Sequence, residues 1–100
     1  MHEEALLTID RLLTCPTTLK ILLAMLEHEQ VYQFQLTLIT GSHRATVVTA
    51  IKMLTEGKLI RVVEPKVHVK NTGEFYGLTA QGKDVAQLLQ GIEGLLERHR

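Results

Sequence analysis

Tryptophan is absent from this chain and aromatic residues make up only 4% of it, while apolar residues reach 45%, so the core must be aliphatic. An aliphatic core of this kind suits packed helices better than a sandwich of sheets. The single cysteine, Cys15, excludes an internal disulfide framework and is compatible with a reducing compartment. No neighbour in sequence clearly activates the thiol, so a buried or half-buried structural cysteine is favoured over a redox switch. No apolar run approaches the ~18 residues that span a bilayer, and the longest are short, such as Ile21–Leu26. No apolar stretch follows basic residues at the start, so a signal peptide is not expected. These absences lead us to expect a soluble cytoplasmic protein with no membrane partner.

Catalytic signatures are equally scarce. There are no paired carboxylates, no nucleophile elbow, no phosphate-cradling loop and no metal-ligand spacing, so an enzyme is not expected. The five histidines (His2, His28, His43, His68 and His99) are dispersed, without an i, i+4 pair or a cysteine neighbour. Solvent-exposed histidines, no metal and no cofactor are therefore expected, with a site shared across a dimer by His2 and His99 as the alternative.

Net charge is also lacking, with 11 basic and 11 acidic residues, but its distribution is uneven. Between His43 and Lys70 stand Arg44, Lys52, Lys58, Arg61, Lys66 and Lys70 against only Glu56 and Glu64. The remainder of the chain carries the compensating acidic excess. A phosphate-binding face needs locally concentrated positive charge rather than a basic total.

What is present is a clear order of periodic segments in one domain of 100 residues, without repeats or linkers. Glu3–Leu13 places Leu6, Ile9, Leu12 and Leu13 at helical spacing. Thr14-Cys15-Pro16 breaks that helix, since the residue before proline is driven from the helical region, and Pro16 suits the first turn of the next. Thr17–Glu27 is apolar on more than one face, as a central buried helix would be. Val31–Ile39 alternates like a strand but also fits a third helix. Thr40-Gly41-Ser42 reads as a turn. Arg44–Glu56 is the clearest amphipathic helix, with Val47, Ile51 and Leu54 as its inward stripe and Gly57 as its cap.

Leu59–Glu64 reads as a strand interrupted at Pro65, and Lys66–Lys70 alternates strictly. Asn71-Thr72-Gly73 reads as a turn and Glu74–Leu78 as the returning strand. Thr79 caps a last helix, Ala80–His99, whose stripe is Val85, Leu88, Leu89, Ile92, Leu95 and Leu96. Gly91 and Gly94 interrupt it at about 1 kcal/mol each relative to alanine.

The stretches Leu36–Leu54, Glu56-Gly57-Lys58-Leu59-Ile60 and Phe75-Tyr76-Gly77-Leu78-Thr79-Ala80-Gln81-Gly82-Lys83 together resemble the winged helix-turn-helix transcriptional regulators, in particular the MarR and PadR families. The last stretch is similar to the segment where the wing's returning strand enters the final helix. The resemblance covers nearly the whole chain. It implies a mostly α protein with a small β-hairpin (α+β), flanked by dimerisation helices at residues 1–14 and 80–100.

The expected function is sequence-specific binding of double-stranded DNA by a homodimer. With Val47, Ile51 and Leu54 inward, Arg44, Ala45, Val48, Thr49 and Lys52 face outward toward a major groove about 12 Å wide. Arg44 suits guanine O6 and N7, Ala45 and Val48 suit thymine methyls, Thr49 a base edge or phosphate, and Lys52 the backbone. Ser42, His43 and Thr46 stand at the helix N-terminus, where phosphate contact is favoured. Lys66, His68, Lys70 and Asn71 form the expected basic wing, whose bland alternative is a solvated hairpin guarding its edges.

Leu6, Ile9 and Leu13 of the first helix and Leu88, Leu89, Ile92, Leu95 and Leu96 of the last are the expected dimer surface. Their alternative is packing on each other within one chain. A small-molecule effector has room only in that interface. The competing function is a winged-helix module for protein–protein contacts in transcription or replication machinery.

Overall fold

The computed structural model describes residues 7–66 and 73–99. Among these residues the chain is α+β, with five helices and a three-stranded antiparallel sheet. The first helix, α1 (Ile9–Thr14), starts later than its apolar spacing predicts, because Leu7 and Thr8 stand outside it. Thr8 is the N-cap, its Oγ1 accepting the Arg11 N–H at 3.3 Å. Leu6 lies outside the described residues.

The break at Cys15-Pro16 forms as the proline rule requires. Cys15 is non-helical (φ −135°, ψ 82°), and Pro16 at φ −58° leads directly into α2 (Thr17–Met25). Thr18 is buried, and its hydroxyl is shared between the carbonyls of Cys15 and Leu12, which fastens the end of α1 to the start of α2. As its broad apolar surface predicts, α2 is the centre of the core. Its Ile21, Leu22 and Met25 pack with Leu36, Val47, Ala50, Leu54, Ile60 and Ala86 from the surrounding elements.

The ambiguous segment after α2 is both things in succession. Val31–Tyr32 forms the short strand β1, and Gln33–Thr40 forms α3. The alternation of Phe34, Leu36 and Leu38 mimics a strand, but only Leu36 is buried, while Phe34 and Leu38 lie on the outer side of the helix. The Gln35 side chain accepts the Tyr32 N–H at 3.1 Å and secures the first turn. Gly41 then ends α3 in the left-handed region (φ 69°), which a side chain would strain, and its N–H bonds to Thr37 O.

α4 (Arg44–Glu56) has the bounds its periodicity predicts, and its buried residues are Val47, Ala50, Ile51 and Leu54. Gly57 caps it at φ −80°; the left-handed residue is Lys58, at φ 65°. Gly57 is needed for space, since a Cβ there would lie 2.5 Å from the Leu7 side chain. β2 (Ile60–Val63) and β3 (Phe75–Leu78) pair antiparallel from Ile60 opposite Leu78 to Val63 opposite Phe75.

The expected hairpin is thus one part of a larger sheet. β1 pairs with the other edge of β3, giving the order β1-β3-β2, and Tyr32 meets Phe75 edge to face at 5.3 Å. Thr79 caps α5 (Ala80–Arg98) by accepting the Gly82 N–H at 2.9 Å. Only Gly82 and Ala86 of α5 are buried, both in its first half, so the second half projects beyond the body. Among the described residues no helix is long and apolar enough to cross a membrane.

Candidate nucleic-acid interface

α4 is held from beneath by its aliphatic stripe, and that anchoring decides what its other side shows. Arg44, Ala45, Val48, Thr49 and Lys52 are all exposed, opposite Val47, Ala50, Ile51 and Leu54. Among the described residues neither Arg44 nor Lys52 is engaged in an ion pair. A long cation without a partner in its own chain keeps its donors free for an external anion.

The first intrahelical bond of α4 runs from Val47 N–H to His43 O at 3.0 Å. The N–H groups of the preceding residues therefore point out of the helix end. His43, the N-cap, is exposed and Thr46 is half-buried. Ser42 is placed differently from its neighbours. Its hydroxyl lies 2.9 Å from that of the buried Thr17, and its N–H donates to Thr40 Oγ1. Ser42 thus pins the α3–α4 turn to the start of α2, and sets the angle at which α4 leaves the turn.

Beyond β2, Lys66 is exposed but not free. Its Nζ is 2.6 Å from Glu29 Oε1. His68, Lys70 and Asn71, the remaining residues expected there, lie outside the described residues. Three residues that sequence reasoning passed over have a place in the site. Thr17 holds Ser42, Glu29 holds Lys66, and Gln30 bonds the backbone on both sides of Pro65. No local pattern could have found them, because the partners lie 25 to 37 residues apart.

Between the outer side of α4 and the sheet lies a shallow cleft of about 400 Å³, bordered by Val48, Lys52, Val62 and Tyr76, with Glu56 and Glu74 at its rim. The acidic residue of α4 is therefore at its C-terminal end, away from Arg44. Tyr76 is half-buried, and its hydroxyl donates to Glu74 Oε1 at 3.3 Å. Burial, with the neighbouring Glu74 charge and hydrogen bond, raises its pKa above the ordinary phenol value of about 10. The fold therefore favours the neutral phenol. Its contribution is present below the unfolded-state value and is lost as pH rises through the folded one. Thermal melts between about pH 8 and about pH 11 are expected to show an alkaline loss of stability that Tyr76→Phe reduces. Parallel curves for the two proteins would refute the assignment.

A larger apolar groove, about 590 Å³, opens between α1 and α5. Of the expected dimer residues that are described, Ile9, Leu13, Leu88, Leu89 and Ile92 line it. Ile9 is 74% exposed, Leu13 60% and Leu88 71%, and Ile92, Leu95 and Leu96 are also exposed. Leu89 is the exception, being partly buried against the chain's own core. α1 and α5 flank this groove, and most of both stripes face solvent. Compared with the models of known protein families and with the curated proteins, the chain matches none.

Proposed function

We propose that this protein is a sequence-specific double-stranded DNA-binding regulator of the winged helix-turn-helix kind, similar to the MarR and PadR families, acting as a homodimer. In this reading α3, the Gly41 turn and α4 are the helix-turn-helix, and β2–β3 with its connection is the wing. The observation that carries it is the exposed Arg44–Lys52 side of α4, with no ion-pair partner among the described residues for either cation and set opposite a fully buried stripe.

A helix anchored in this way can present Arg44 to a guanine edge, and Ala45 and Val48 to thymine methyls, without unpacking its core. The exposed apolar sides of α1 and α5 support pairing with a second copy, since an uncovered aliphatic surface of this extent marks an interaction site. Two copies would read two half-sites about one helical turn apart.

The test is duplex binding across a salt series. Log K is expected to fall with log salt by about 0.9 per neutralised phosphate. Arg44→Ala is expected to weaken a selected duplex by roughly 1–3 kcal/mol and to relax preference at one base position. Equal binding by parent and variant would remove α4 from the interface.

The exposed Phe34 and Leu38 on α3, 62% and 67% accessible, favour a second reading as a module for protein–protein contacts. Such binding would change little with salt, so the same titration separates the two.

A further inference from the structure

We infer that Glu29 and Gln30, in the turn before β1, govern how Lys66 is delivered to a phosphate; this rests on the DNA-binding reading above. Pro65 cannot donate a backbone hydrogen bond, so the ladder between strands cannot continue through it. Gln30 supplies what is missing. Its amide nitrogen donates to Glu64 O at 2.6 Å, and its amide oxygen accepts the Lys66 N–H at 2.8 Å. One side chain thereby fixes the backbone on both sides of the proline.

The turn that carries Gln30 is itself seated on the sheet. Glu29 O lies 3.4 Å from where a Cβ on Gly77 of β3 would stand, ordinary contact distance, so the turn rests against the sheet. Anchored there, Glu29 places its carboxylate 2.6 Å from Lys66 Nζ. A carboxylate oxygen receives a charge-assisted N–H as a phosphate oxygen does. Glu29 is therefore an internal stand-in for phosphate. It keeps the Lys66 side chain against the body in the free protein and must be displaced when DNA binds.

Both groups are well exposed, 65% for Lys66 and 74% for Glu29, so the pair is weak and exchange is easy. Gln30 is a positioning residue, and Glu29 competes for the lysine that Gln30 registers.

The experiment measures duplex affinity by fluorescence anisotropy between about 50 and 200 mM salt. It compares the full chain with E29Q, Q30L, K66A and the double variant E29Q/K66A, each checked for folding by circular dichroism. E29Q is expected to tighten binding about two- to fivefold. In the K66A background that gain should vanish, as a double-mutant cycle for an interacting pair requires. K66A should lower the salt slope by about 0.9 per bound protomer, and Q30L should lower it similarly by misplacing Lys66. A mere loss of folded protein would weaken binding at every salt concentration without changing the slope.

A gain from E29Q that persists in the K66A background would overturn the competition, because Glu29 would then act as a general repulsive charge. An unchanged slope in Q30L would overturn the positioning role. If the parent chain binds no duplex at any salt, the DNA reading itself fails and takes this inference with it.

Discussion

Replacing Leu88 and Ile92 together by glutamate is expected to leave a folded monomer whose affinity for a two-half-site duplex is about 10²- to 10⁴-fold lower. The two side chains are 71% and 54% exposed in the single chain, and neither belongs to its buried core. In a lone chain the new carboxylates stay hydrated, and a surface substitution of this kind changes stability by about 0.5 kcal/mol or less. Glutamate is also a good helix former, so α5 itself is not threatened. In a pair of copies joined through α1 and α5 the outcome is different. Each large aliphatic side chain buried there contributes on the order of 1.5–3 kcal/mol, and each carboxylate put in its place would lose its water without gaining a partner.

On the proposed reading, the loss of DNA affinity would follow from the loss of the pair, since Leu88 and Ile92 lie on α5 and the exposed side of α4 is unaltered. A single copy reads one half-site and forgoes the high effective concentration that the second copy supplies. Sedimentation velocity gives the mass, and a melt at two protein concentrations shows whether stability still depends on association. A double variant that remains dimeric, or that is monomeric yet binds the duplex like the parent, would remove this face from the functional reading.

The elements read correctly from sequence are those whose signals are local. α4 is bounded by a glycine turn before it and Gly57 after it, and its inward stripe recurs every three or four residues, so the pattern and the packing agree. Thr79 is likewise legible because a cap bonds within its own first turn. The strand β1 was not separable from α3. It is two residues long, and its reason for being extended is β3, more than 40 residues away. The late start of α1 has the same origin, since Leu7 is drawn out of the helix to fill the space above Gly57.

In the candidate site the outward set on α4 follows from periodicity alone, because fixing one side of a helix fixes the other. The commitments of Ser42 and Lys66 do not. Each is a polar side chain of a type that binds phosphate, and each is held by a residue from a distant segment, Thr17 or Glu29. Residue type conveys what a side chain can do, whereas its partner in the fold determines whether that capacity is free.

Gly82→Ala is expected to destabilise the protein by about 3 kcal/mol or more, lowering its melting temperature by at least about 12 °C. A Cβ built on Gly82 would stand 1.8 Å from Leu59 O, deep inside van der Waals contact with a backbone atom that cannot rotate away. That carbonyl is already engaged. It accepts the Thr79 N–H at 3.1 Å and lies 3.2 Å from the Thr79 hydroxyl, which donates more closely to Lys58 O at 2.7 Å. The same hydroxyl oxygen accepts the Gly82 N–H. Making room for a methyl therefore means separating the start of α5 from the Lys58–Leu59 backbone, with bonds of about 1 kcal/mol each at risk in addition to the clash. Helix propensity acts the other way, favouring alanine by about 1 kcal/mol, and is too small to reverse the sign. Gly94 in the same helix provides the contrast. A Cβ there meets nothing within 4 Å, so Gly94→Ala is expected to stabilise by roughly 0.5–1 kcal/mol through propensity alone. Because the Lys58–Leu59 segment leads from α4 into β2, loosening it would also free the sheet relative to α4, and duplex affinity should fall even where Gly82→Ala remains folded. Melts showing the two alanine variants displaced in the same direction would mean that α5 does not dock on Leu59 as described.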